Sequence, residues 1–230
     1  GAKSKFGFFL SEAEDYQTIA KELGIIRLSK EGEPLKYARH PLVYLVEAAD
    51  DICYQMMDIE DAFKLKIFSF EEAKALYQGF MSDKQRKRTD EICCLVTDPN
   101  EQIAYLRATV IGILVKECTR VFMENEEPIL AGTFEGSLIK HIAPLQKEAY
   151  QTCSKTAIER IYRSRDVLDI ELAGFHVIST LLELMVDAVC SPEKAYSQLL
   201  INRVSNHYDV DSDTLFGKLQ AVLDFILGMT

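Results

Sequence analysis

Asp50, Tyr54 and Asp58 recur at i, i+4 and i+8 in the segment Glu47-Ala-Ala-Asp-Asp-Ile-Cys-Tyr-Gln-Met-Met-Asp. On an α-helix turning about 100° per residue, that spacing puts all three on one face over ~12 Å of axis. Glu47 and Asp61 fall on the same arc, and no Lys or Arg lies between them to neutralise the acids from within the helix. Like charges one turn apart cost roughly a few tenths of a kcal/mol each. An acidic stripe with an embedded phenol therefore reads as a surface suited to cations. The plain alternative is a solvated acidic face, because charge runs on helices usually are that. Opposite the stripe, Leu45, Ala49, Ile52, Met56, Ile59 and Phe63 form the expected apolar face.

The elements that position these residues read as helices throughout. Prolines are few and fall between segments, at Pro34, Pro41, Pro99, Pro128, Pro144 and Pro192. Ser11 to Glu14 reads as a capping box opening a helix that runs to about Gly24. Residues 25 to 36 form a polar connection or a small hairpin. Pro41, tolerated in a first turn, opens a long helix to about Lys64 that carries the acidic stripe. Ser69 to Glu72 is a second capping box, with a helix to about Gln78. Ser82 to Asp90 reads as a charged connection, with a helical stretch beginning near Asp90. Glu101 to Met123 is one amphipathic helix, its apolar face carrying Ile103, Leu106, Val110, Ile113 and Leu114. Asn125 to Ser137 is loop-like. Further helices are expected from Pro144 to about Arg163, from Leu168 to Ala188, after Pro192, and from Asp213 to about Leu227. No strand ladder, internal repeat or low-complexity tract is evident. The predicted fold class is all-α, mostly long helices, with residues 1–230 as a single helical unit.

Composition narrows the function classes. The 230 residues hold 26 basic and 36 acidic side chains, a net charge of -10. This balance argues against a dedicated nucleic-acid binder, which carries a basic face. The dense basic run Lys84-Gln-Arg-Lys-Arg88 is read as a solvated loop, with contact to the phosphates of an effector nucleotide or single-stranded DNA as its functional alternative. The six cysteines form no C-x-x-C pair and sit mostly in apolar helical context, which predicts a reducing, cytoplasmic setting. No apolar run is judged long enough to cross a membrane, and the first residues lack the apolar stretch of a signal peptide.

The string Glu-Ala-Ala-Asp50-Asp-Ile-Cys-Tyr54, followed by Met-Asp58-Ile-Glu-Asp-Ala-Phe, strongly resembles the deoxyguanosinetriphosphate triphosphohydrolase-like (dGTPase-like) family of the HD superfamily. Lys5-Phe-Gly-Phe-Phe, Gly136-Ser-Leu-Ile, Ile161-Tyr-Arg-Ser-Arg-Asp-Val-Leu-Asp-Ile-Glu-Leu-Ala-Gly and Asp224-Phe-Ile-Leu-Gly-Met-Thr resemble further family segments, in order along the chain. The resemblance implies a mostly helical fold of HD-superfamily type. It also implies hydrolysis of a deoxynucleoside triphosphate, dGTP in the first instance, to deoxynucleoside and triphosphate with a divalent metal, Mg or Mn. Carried over residue by residue, it makes Asp50 the distant Asp of the metal site. Tyr54 stands against the phosphate and sugar, Asp58 lies near the sugar 3′-hydroxyl, and Tyr162 is a further substrate-pocket position. The chemistry is consistent: hard cations prefer carboxylate oxygen, and a mixed His/Asp set accommodates Mn or Mg with bound water. The resemblance also implies homo-oligomers and a nucleotide or single-stranded DNA effector.

One departure is large. The family's metal site also uses a His and an adjacent His-Asp pair, and none of the four histidines here (His40, His141, His176, His207) precedes an Asp. The expectation is a C-terminal portion of such an enzyme, without a catalytic residue of its own, inactive alone and holding no metal tightly. The competing expectation is a non-catalytic helical module for regulation or oligomerisation, derived from the same scaffold.

Overall fold

The computed structural model describes residues 7–229, without the side chain of Asp166. Lys5 and Phe6 of the first family-like segment, and Thr230 of the last, lie outside the described residues. The packing gathers into two compact units, 1–161 and 162–230, where the sequence reading treats 1–230 as one.

The first unit contains α1 (Ala13–Glu22), α2 (Pro41–Lys64), α3 (Phe70–Gln78), α4 (Asp83–Cys93), α5 (Pro99–Glu124), α6 (Glu126–Leu130) and α7 (Pro144–Thr156). A π-helical turn, Ala157–Ile161, closes it. Helices α2 and α5 form its centre. Ile52, Met56 and Ile59 of α2, with Ile103, Leu106, Val110 and Leu114 of α5, are almost completely buried. Their i, i+3/i+4, i+7 spacing is a helical core stripe. Two expected core positions of α2, Leu45 and Ala49, are exposed instead. The buried arc runs through Tyr44, Ala48 and Ala62, rotated from the arc expected by periodicity.

Several helix ends follow the sequence. His40 caps α2, its Nδ1 accepting the Leu42 N–H at 3.2 Å, with Pro41 in the first turn. Ser69 and Glu72 form the expected reciprocal cap of α3: the Ser69 N–H donates to the Glu72 carboxylate at 2.8 Å, and Ser69 Oγ accepts the Glu72 N–H. Between α1 and α2 the small hairpin is a single antiparallel bridge, Arg27 with Tyr37. Glycine is required at Gly132, where φ is +68° and an added Cβ would lie 2.6 Å from that of Ala38.

Three expectations are corrected. Ser11 does not cap α1; it lies in a 3-10 turn, and the Glu12 carboxylate accepts the Phe9 N–H. The charged run after Ser82 is helix α4, started by Gln85 accepting the Ser82 N–H at 2.9 Å; its charges line an exposed helix face rather than a loop. Part of the segment after Asn125 is the short α6, since Glu126 and Glu127 suit a first turn.

The second unit holds α8 (Arg165–Cys190), α9 (Ala195–Ile201) and α10 (Leu215–Leu227). Its core is Met185, Val189, Val204, Val222 and Ile226. Thr214 Oγ1 caps α10 by accepting the Gly217 N–H. The expectation that no run is apolar enough to cross a membrane is corrected by α8. Val167–Cys190 is long and apolar enough by length and composition, with a mean hydropathy of 1.6. From Leu172 to Cys190 the only charged side chains are Glu183 and Asp187. A helix packed in a protein core passes the same criterion.

Candidate functional site

The face chosen by spacing exists as expected. Helix α2 runs unbroken through Asp50, Tyr54 and Asp58, so the three stand about 6 Å apart along its axis. Asp50 is exposed, Tyr54 is 62% exposed and Asp58 is half-buried. The carboxylate of Asp50 and the hydroxyl of Tyr54 make no hydrogen bond or ion pair among the described residues. Around them the same face exposes Leu42, Val46 and Met57. Acid, phenol and apolar surface thus share one stripe.

Glu47 and Asp61 do not belong with Asp50. Glu47 is buried, and Arg39 donates to its carboxylate at 2.7 Å. The same Nη1 donates to the carbonyl of Gly136 at 3.3 Å, which ties the start of α2 to the family-like segment at Gly136. The guanidinium also stands 5.4 Å from the ring centroid of Tyr44, whose hydroxyl donates to the Phe134 carbonyl. Burial raises the Tyr44 pKa, and Arg39 partly opposes that. Asp61 is exposed, with Lys64 at 4.0 Å. Glu47 is thus met by a cation from outside the helix and Asp61 by Lys64 of the same helix, while Asp50 has no ion pair among the described residues.

A charge pair that the spacing does not reveal lies on the buried side. Glu60 is 5% exposed and receives Arg107 of α5 and, at 2.9 Å, Lys64. Arg107 is 47 residues away, so no local signal announces it. Burying a carboxylate is costly unless it is paired and hydrogen-bonded, and this one is.

Buried hydroxyls hold the middle of α2. Tyr77 Oη donates to the Met56 carbonyl at 2.8 Å, and Tyr150 Oη donates to the Asp51 carbonyl at 3.0 Å. Ser154 Oγ donates to Gln55 Oε1 at 2.7 Å. Burial pushes the pKa of both tyrosines well up, so they remain neutral donors at any physiological pH. These bonds bracket Tyr54 in sequence and fix the helix turn that displays it. Of the three α2 positions held, periodicity marks only Met56 as core, and it shows none of the polar partners.

Tyr162 is half-buried and is the first residue of the second unit. The run Lys84 to Arg88 lies on α4, and its members divide: Lys84, Lys87 and Arg88 are exposed, while Arg86 donates from Nε to the Gln78 carbonyl at 2.9 Å. Among the described residues, no group of three or more His, Cys, Asp or Glu side chains is placed to hold a metal ion. Asp50 by itself offers one ligand set of carboxylate oxygens, which does not make a metal centre.

Fold and face together define an all-α protein that displays a carboxylate and tyrosine stripe on a rigid central helix. No protein-family model matches the chain. Relatives do. A deoxyguanosinetriphosphate triphosphohydrolase-like protein of Synechocystis sp. is 31% identical across 98% of this chain and 49% of its own length. One from Pseudomonas aeruginosa is 29% identical across 99% of this chain and 52% of its own. A deoxyguanosinetriphosphate triphosphohydrolase of Yersinia enterocolitica is 30% identical across 94% and 43%. The chain is thus similar over nearly its whole length to dGTPase-like proteins, and it spans about half the length of the relatives it matches.

Proposed function

We propose that this chain supplies the substrate-facing part of a deoxynucleoside triphosphate triphosphohydrolase site, with dGTP as the first substrate to test. The observation that carries the reading is the exposed Asp50 and Tyr54, with Asp58, on one face of a helix pinned by Tyr77 and Tyr150. Tyr54 donates a hydrogen bond toward a phosphate or sugar oxygen. Asp58 accepts one from the sugar 3′-hydroxyl, and an analogue lacking that hydroxyl forfeits this bond. Asp50 contributes one carboxylate to a divalent-metal site, Mg or Mn, whose other ligands this chain does not bring together. A homo-oligomer, a nucleotide or single-stranded DNA effector and a cytoplasmic location complete the proposal.

The second reading, a non-catalytic helical module, is favoured by one observation: no metal-holding cluster is assembled among the described residues. The experiment that separates the two is chromatographic detection of triphosphate from dGTP and Mn, run on the intact gene product and on the 230-residue chain alone. The enzyme reading expects release by the intact product, lost with Asp50→Ala, and none by the chain alone. Release by neither, with Asp50→Ala indistinguishable in dGTP binding, overturns it in favour of the module.

A further inference from the structure

A second concave site lies in the first unit, on residues the proposed function does not use. Helices α3 and α7 meet closely at one point: a Cβ on Gly79 would lie 3.5 Å from that of Ala149. From there the helices diverge, and a cleft of about 590 Å³ opens between them. That volume lies within the usual range of small-molecule sites, about 300–1,000 Å³. The walls repeat at helical spacing, Ala75, Leu76 and Gly79 on one side and Leu145 and Ala149 on the other, so the body of the cleft is apolar.

The charged groups at this cleft divide into two kinds. Glu72 and Arg160 satisfy each other, and Arg160 is further held by the Ile67 carbonyl at 3.0 Å and by the Phe68 ring, 4.8 Å below its guanidinium. This pair is a neutral wall. Arg86 and Glu148 also line the cleft but are not paired with each other. Arg86 is oriented through Nε on the Gln78 carbonyl, which leaves its terminal nitrogens without a partner among the described residues. The Glu148 carboxylate likewise has none. A cation and an anion, unpaired, therefore share one apolar cleft.

We propose that the cleft binds a short zwitterion with an apolar body, of dipeptide size, its carboxylate on Arg86 and its ammonium on Glu148. An oriented guanidinium suits a carboxylate, because two N–H groups can donate to two oxygens. Two extended residues span about 7 Å, which separates the two charged ends while the side chains fill the apolar middle. A simple anion would meet Glu148 as a repulsive neighbour, and a simple cation would meet Arg86. The zwitterion alone answers both.

The test is isothermal titration calorimetry of the full chain with leucyl-leucine, N-acetyl-leucyl-leucine and leucyl-leucine amide. The expected result is saturable binding of leucyl-leucine below about 10 mM, weakened about tenfold by either cap, since each cap removes one charge-assisted hydrogen bond. Arg86→Gln should erase the penalty of the amide, and Glu148→Gln the penalty of the acetyl group. Ala75→Trp, which fills the cleft from an exposed position on α3, should abolish binding of all three. Glu148 is exposed, so its variant stays folded and keeps the test decisive even where Arg86→Gln loses stability. The proposal is overturned by no saturable binding of leucyl-leucine, by equal binding of the three probes, or by capped-probe preferences that both variants leave unchanged. Tighter binding of the acetylated probe would also overturn it, leaving an anion site at Arg86.

Discussion

The carboxylates of α2 divide by the cations that reach them. Glu47 and Glu60 are buried and carry cations from other segments, Arg39 and Arg107. Asp50, only three residues from Glu47, is exposed and makes no ion pair among the described residues. Along the sequence the acids look alike. In the fold, two serve stability and one is kept available. A buried carboxylate without its partner is a large penalty, whereas an exposed one can be removed at almost no cost to folding. This contrast separates the acids held in buried ion pairs from the one left exposed, without reference to any reaction.

The contrast can be broken from its strongest side first. Arg107→Ala leaves Glu60 buried with only the half-exposed Lys64, and should cost about 3 kcal/mol in urea unfolding. A loss within experimental error would mean that Glu60 escapes to solvent. Arg39→Ala should likewise cost about 3 kcal/mol by the same measurement, because Glu47 is as buried as Glu60 and loses the cation it is paired with. Tyr77→Phe and Tyr150→Phe each strip a hydroxyl from an α2 carbonyl and should cost about 1 kcal/mol apiece. Asp50→Asn and Tyr54→Phe sit at the other pole. Their unfolding free energies should stay within about 0.5 kcal/mol of the parent, and a larger loss would reassign that face to packing.

The smallest effect concerns acid. The Arg160 guanidinium, with the Ser69 N–H and hydroxyl, holds the Glu72 carboxyl down to about 2 from its ordinary 4.5. Because the folded-state value is the lower one, this pair's contribution is present above about pH 4.5 and fades as pH falls toward about 2. Glu72 is well exposed, so the contribution is modest and salt-sensitive. NMR titration of the Glu72 carboxyl checks it. Arg160→Gln should return the midpoint toward 4.5, and a midpoint already there in the parent would show the pair to be open in solution.

Helix α4 shows where local reading stops. Its mean composition is so charged that periodicity finds no apolar stripe, and the run from Lys84 to Arg88 reads as a loop. The cap at Ser82 and Gln85 is a helix signal, but with no apolar residue in the first two turns it has nothing to anchor. What fixes α4 is contact with α3: Arg86 on the Gln78 carbonyl, Lys74 with Asp90 at 2.8 Å, and Gln78 with the same carboxylate. Through this bond Asp90 raises the Lys74 pKa and Lys74 lowers that of Asp90. The cleft between α3 and α7 was equally hidden, because its charged members come from positions 86 and 148.

The sequence alone determined the all-α class, the limits of the long helix from Pro41 to Lys64, the cap at Ser69, and the shared face of Asp50, Tyr54 and Asp58. Each depends on interactions within about four residues, which spacing expresses directly. Only the tertiary structure decided which acids are neutralised, which hydroxyls hold α2, and where a second cleft opens. Those outcomes depend on partners 8 to 99 residues away, whose approach is set by packing rather than by any local pattern.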